Sequence, residues 1–227
     1  TFEALADATL AHGLVPAVVP QLKSITLGGA VAGVGIEASS FRHGLVHDTV
    51  IELDVLTADG RIVRCTPDND HRDLFLGFPN SYGTLGYALR LRVELQAVEP
   101  FVELQHVRFR DAARYFDAVA QVAADRAHEG RAVDFLDGVV FGPSELYLTL
   151  GRFASEAPYS SDYTGNAVYY RAIRQRRRDF LTVRDYLWRW DTDWFWCSRA
   201  LGVQHPLVRP LVPRALKRSD VYWKVVG

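Results

Sequence analysis

The chain has 227 residues, of which 48% are hydrophobic, and a formal charge of −1. That is enough apolar content for one large domain, or one domain and part of a second, and the near-neutral balance gives no case for nucleic acid as a partner. No run of about 18 apolar residues occurs, so no transmembrane helix is predicted.

In chain order, residues 3–13 carry Leu5, Ala8, Thr9 and Ala11 at helical spacing, and Gly13 suits the position after a helix end, where positive φ is cheapest. Leu14 to Val19 is a short apolar segment between prolines. The most informative stretch follows: Thr26-Leu27-Gly28-Gly29-Ala30-Val31-Ala32-Gly33-Val34-Gly35-Ile36-Glu37-Ala38-Ser39-Ser40. Four glycines in eight residues remove side chains where a backbone can approach a ligand, and such a loop can point N–H groups at a phosphate. The alternative is a tight turn with close backbone packing. The run is not a GxGxxG motif followed by a helix, and it lacks the Lys-Ser/Thr ending of a P-loop.

Ile51 to Leu56 alternates like a half-buried strand, Ala58-Asp59-Gly60 is a turn, and Arg61 to Cys65 is the returning strand. Asp73-Leu74-Phe75 opens a short helix, and Gly83-Thr84-Leu85-Gly86 precedes a strand from Tyr87 to Leu95. His43 and His47 are four apart, a zinc spacing on a helix, but Gly44 and the strand-like continuation argue against one, and no metal site is expected.

The ordered set Thr-Leu-Gly-Gly, Gly44-Leu45, Asp48-Thr49-Val50, Ala58-Asp59-Gly60, Asp73-Leu74-Phe75 and Gly83-Thr84-Leu85-Gly86 resembles the second half of the FAD-binding domain of p-cresol methylhydroxylase/vanillyl-alcohol oxidase-type flavoproteins. Ile36 to Ser40 after Gly33-x-Gly35, with Arg64-Cys65-Thr66-Pro67 after the hairpin, resembles the Δ24-sterol reductase (seladin-like) branch. The resemblance implies an α+β fold: residues 1–98 as the C-terminal half of the FAD domain, and residues 99–227 as part of a substrate (cap) domain. It implies FAD as cofactor along Thr26 to Ser39, with Gly83 and Gly86 near the adenine end. It also implies NADPH as reductant of a carbon–carbon double bond in a sterol-like or other hydrophobic substrate, through flavin N5. The first FAD subdomain would lie upstream of Thr1, and the absence of any Met is expected of a stretch cut from a longer protein. Two readings compete: an FAD-linked oxidase of a small alcohol or sugar acid, and a non-catalytic lipid-binding or scaffold protein that retains only the fold. No residue is assigned as the catalytic proton donor.

Beyond Glu99, Val102 to Phe109 reads as a strand, and Asp111 caps a helix with Phe116, Val119, Ala120 and Ala123 on one face. Ala132 to Phe141 and Glu145 to Phe153 read as a hairpin, and Pro158 to Asn166 as a polar loop. The arginines from Arg171 to Arg178 suit a solvated face, an anionic-lipid contact or a dinucleotide-phosphate contact. Trp188 to Trp196 holds four of the five tryptophans. It reads as a core plug, a wall of an apolar cavity, or a peripheral membrane contact assisted by Arg209 to Arg218. Asp191 and Asp193 form a carboxylate pair, solvated or arginine-paired. Two distant cysteines, Cys65 and Cys197, point away from a disulfide framework.

Overall fold

The computed structural model describes residues 1–193, 197–199 and 201–226. The chain divides into two compact units, Thr1–Pro20 with Ser24–Ala97, and Gln21–Lys23 with Val98–Gly227. Both mix helices with antiparallel sheets.

The first unit begins with α1 (Phe2–Leu10), whose Thr1 hydroxyl accepts from the Ala4 amide. Phe2 and Ala6 are its buried residues, and Gly13 takes φ +69° just beyond its end. The apolar segment after it forms β1 (Leu14–Pro16), which pairs antiparallel with β5 (Leu95–Ala97). The hairpin of β2 (Val50–Leu56) and β3 (Ile62–Cys65) joins β4 (Tyr87–Val93) in a sheet of order β3-β2-β4. Alternation points Leu53, Val55, Val63 and Cys65 into the core, as period-2 geometry requires. The strand expected from Tyr87 to Leu95 breaks at Glu94, whose amide turns to the Thr49 carbonyl.

The second unit is built on a four-stranded sheet of order β11-β6-β10-β9, comprising β6 (Phe101–Phe109), β9 (Phe135–Gly142), β10 (Glu145–Ala154) and β11 (Arg178–Thr182). Seven successive residues of β10, Leu146 to Arg152, are buried, so this central strand is covered on both faces. One face meets α5 (Ala112–Asp125), capped by the Asp111 carboxylate at 2.9 Å from the Arg114 amide. The other carries His106, Thr149 and Phe135 against α6 (Tyr169–Gln175) and α7 (Val183–Leu187).

Three expectations are corrected here. The buried stripe of α5 is Tyr115 and Val122, with Ala118 and Val119 half-buried, whereas Phe116 is 62% exposed and Ala120 is exposed. Tyr115 takes the inward place because its ring meets Phe109 edge-on and its hydroxyl end reaches the space left by Gly138. Ala132 pairs in a separate two-residue ladder, β7 (Ala127–His128) with β8 (Arg131–Ala132), and β9 starts only at Phe135. Asp191 is buried rather than solvated, with no arginine partner among the described residues: it accepts from the Ser219 hydroxyl (2.5 Å) and the Lys23 amide (3.0 Å).

Trp188 and Trp190 are 1% and 4% exposed, Trp190 edge-on to Tyr169, so this part of the tryptophan segment is core and cannot meet a membrane. Trp194 to Trp196 lie outside the described residues. In the later basic stretch, Arg209 and Lys217 are buried too. Arg209 donates to the Asn166 and Ala167 carbonyls, and Lys217 to the Gly165 carbonyl, which pins the 165–167 backbone. The polar loop before it is anchored as well, because Tyr163 and Ser161 donate to the buried Asp179 carboxylate. No described helix is long and apolar enough to cross a membrane.

Candidate cofactor-binding site

The glycine run is not a loop throughout. Leu27–Ala32 forms a short helix, α2, with Thr26 at its N-cap (φ −87°, ψ 151°) and the Thr26 hydroxyl accepting from the Gly29 amide at 3.1 Å. Such a cap meets one of the orphan donors of a first turn. The Leu27 and Gly28 amides are those a helix start leaves without an intrahelical acceptor. Ala30 and Val31 are buried in the first unit, while Thr26 and Gly29 face outward. Beyond Gly33 the chain alternates: Val34 is 55% exposed, Gly35 buried, Ile36 62% exposed, and Glu37, Ala38 and Ser39 buried.

The four glycines do different things. A Cβ on Gly35 would lie 2.5 Å from Val46 Cγ2 and 3.0 Å from Ala30 Cβ, so this glycine admits the 46–49 turn, whose Val46 amide donates to the Gly35 carbonyl at 2.9 Å. Gly28 lies over Ala88 of β4 at ordinary contact distance. Gly29 is exposed, and a Cβ there would meet only the Thr26 hydroxyl, at 2.8 Å. Gly33 ends α2 with its amide bonded to the Gly29 carbonyl. Close packing therefore accounts for Gly35, and bare backbone faces outward at Gly29.

The second expected element is brought to the same place. The Asn80 and Tyr82 amides donate to the Val31 and Ala32 carbonyls at 3.2 and 2.8 Å, closing the C-terminal end of α2. Asn80 and Tyr82 take positive φ (58° and 51°), uncommon for side-chain-bearing residues, and Gly83 follows at 82°. Gly86, at φ 134°, abuts the Leu56 carbonyl so closely that no Cβ fits, so its role in this unit is packing. Sequence reasoning named Gly83 and Gly86 but missed Asn80 and Tyr82. The turn-forming run Pro79-Asn80-Ser81 was the available signal.

The result is a shelf. Small and bare backbone runs from Thr26 to Gly33, followed by the exposed apolar side chains of Val34 and Ile36, and the turn that closes α2 exposes Tyr82 (75%). Between Thr26 and Ser39 the one ionisable residue is Glu37, and it is buried. The stretch thus offers an anion backbone N–H groups and no cationic side chain. Ser39 donates to the Ala17 carbonyl at 2.8 Å, and the Ser40 hydroxyl accepts from the Glu37 amide at 3.1 Å, so both hydroxyls hold the fold here. Cys65, fully buried, has its thiol pushed up, by burial first and the Asp54 charge second, so it is no nucleophile in waiting.

These features suit a flat anionic cofactor: exposed backbone without Cβ for its phosphates, and exposed Val34, Ile36 and Tyr82 for a ring system. Residues 1–66 match the FAD binding domain family. The chain is 34% identical over 153 residues to the Delta(24)-sterol reductase of Pisum sativum, covering 65% of this chain and 27% of that protein. It is 28% identical over 193 residues to the Delta(24)-sterol reductase of Homo sapiens (79% and 36%). It is 32% identical over 156 residues to Cytokinin dehydrogenase 7 of Oryza sativa subsp. japonica (69% and 28%). The chain spans about a quarter to a third of the length of these curated relatives. Residues 1–66 are thus similar to FAD binding domains, and the chain is similar over most of its length to Delta(24)-sterol reductases.

Proposed function

We propose that the protein is an FAD-dependent oxidoreductase that reduces a carbon–carbon double bond of a sterol-like or other hydrophobic substrate, with NADPH as reductant. The observation that carries this reading is the Thr26–Ile36 shelf, which lies inside the residues that match an FAD binding domain and leaves Gly29 backbone and the Val34 and Ile36 side chains exposed. When bound, the flavin supplies hydride chemistry at N5. In this proposal residues 1–98 are the C-terminal half of the FAD domain and residues 99–227 part of the substrate domain. Thr26 to Ser39 lie along the cofactor, with Gly83 and Gly86 toward its adenine end. The chain's own part is to hold. Thr26 fixes the first turn of α2, Gly29 presents amide backbone, and Val34, Ile36 and Tyr82 keep water from one side of the ring system. The relatives named as Delta(24)-sterol reductases support the substrate class.

The test is to purify the whole protein and record its visible spectrum. NADPH is then added anaerobically, with and without a sterol carrying a side-chain alkene. A flavin spectrum bleached by NADPH and restored by the alkene is the expected result. A colourless protein that FAD does not reconstitute would overturn the proposal. The relative named Cytokinin dehydrogenase 7 favours a second reading, oxidation of a small substrate. Indifference to NADPH, with rapid reoxidation of the reduced flavin in air, would select that reading.

A further inference from the structure

The second unit carries a feature that the flavin reading does not use. The β11–β6 ladder ends at Arg178, opposite Gln105, with one further bond from the His106 amide to the Arg177 carbonyl (2.9 Å), and the β6 edge is open beyond it. An open groove of about 950 Å³ runs there, lined by residues 105–108 of β6, His128 and Glu129, Tyr147 and residues 173–178. A smaller groove of about 460 Å³, formed by Arg108 to Asp111 and Arg114, adjoins it and shares Arg108. Seven arginines line the two.

Three of them are held by carboxylates. Arg174 forms a two-pronged pair with Glu145 (2.9 and 2.8 Å), Arg176 donates to Asp179 (3.0 Å), and Arg178 lies 3.5 Å from Glu103. Four are not: Arg108, Arg110, Arg114 and Arg177 are exposed and have no carboxylate partner among the described residues. His106 adds no charge near neutrality, because burial drives its pKa down to about 4. A solvated face spreads like charges apart. Here they converge on a concavity whose walls are fixed by the paired arginines, which raises the local attraction for an anion. Guanidinium forks match phosphate oxygens two at a time.

We propose that this groove binds a phosphate-bearing anion through Arg108 and Arg177, with Arg110 and Arg114 extending the site. The ligand is a free phosphate compound, such as a dinucleotide, or a phosphorylated lipid headgroup. The test uses the whole protein saturated with FAD, so that any flavin-phosphate site is filled. Inorganic pyrophosphate is titrated calorimetrically into wild type, R108Q/R177Q and, as a control in the other unit, R61Q. Sedimentation with phosphatidylcholine vesicles, plain or carrying phosphatidylinositol phosphate, forms the second arm. Saturable pyrophosphate binding weakened about tenfold or more in R108Q/R177Q, and unchanged in R61Q, supports a free-phosphate site. Binding confined to the phosphoinositide vesicles and lost in the same variant supports a headgroup site. No saturable binding in either arm, or binding that R108Q/R177Q leaves unchanged, overturns the proposal. R110Q/R114Q serves the same comparison should the first variant misfold.

Discussion

Replacing Gly35 and Gly29 by alanine separates packing from ligand approach within one glycine run. In Gly35→Ala the new methyl falls 2.5 Å from Val46 Cγ2 and 3.0 Å from both Val46 Cβ and Ala30 Cβ. Both neighbours are buried, Val46 at 1% and Ala30 at 4%, so neither moves freely. Overpacking of this kind costs about 1–3 kcal/mol. In a unit of this size, Thr1–Pro20 with Ser24–Ala97, that corresponds to a fall in Tm of roughly 4–8 °C per kcal/mol. Gly29→Ala meets only the flexible Thr26 hydroxyl, at 2.8 Å. The gain from alanine in a helix, about 1 kcal/mol, is there set against a disturbed cap of similar worth, so stability changes by less than about 1 kcal/mol. The new methyl nonetheless stands on the outward backbone, so FAD retention should fall in Gly29→Ala. The assays are urea unfolding followed by fluorescence, and flavin absorbance after gel filtration. Adding Val46→Ala to Gly35→Ala should recover part of the loss, with a coupling of about 0.5–3 kcal/mol. A Gly35→Ala protein as stable as wild type, or a Gly29→Ala protein that loses as much stability as Gly35→Ala while keeping its flavin, would refute this reasoning.

Three further outcomes follow from burial. Cys65 in the folded protein should resist iodoacetamide at neutral pH and label readily in urea, as read by mass spectrometry, since burial raises its thiol; fast native labelling would contradict the core position. His106 is lowered from 6.5 to about 4, so the unfolded chain binds the extra proton between those values. Stability is full above about pH 6.5 and falls by up to about 3 kcal/mol as pH drops toward 4, and His106→Gln should flatten that slope in pH-dependent urea midpoints; parallel slopes would refute it. Trp188→Ala should cost about 3–5 kcal/mol as a core truncation and leave partitioning onto liposomes unchanged, whereas unaltered stability with weakened partitioning would restore the membrane reading.

Much of the local structure was legible because it rests on local rules. The β2–β3 hairpin follows from alternation around Ala58-Asp59-Gly60, the start of α5 from the Asp111 cap, and the end of α1 from Gly13. What failed was the choice of face or partner. On α5 the spacing permitted Phe116 inward, but the room left by Gly138 on a strand distant in sequence admits Tyr115 instead. The arginines of 171–178 read as one run, yet Glu145, Asp179 and Glu103, supplied by three different strands, pair some of them and leave Arg177 free among the described residues. Glycine composition marked a backbone without side chains but not which glycine serves packing. That is decided by where Val46 and Leu56 come to lie.

The sequence by itself determined α1, the β2–β3 hairpin, β6, α5 and β10, the FAD-domain resemblance and the near-neutral charge, because these depend on residue type and short-range spacing. Tertiary structure alone decided that Trp188, Arg209 and Asp191 are interior, that the Asn80–Tyr82 turn closes α2, and that Arg108 joins arginines some seventy residues away in one groove. Burial and electrostatic neighbourhood are properties of chain segments brought together from far apart. No local pattern encodes them.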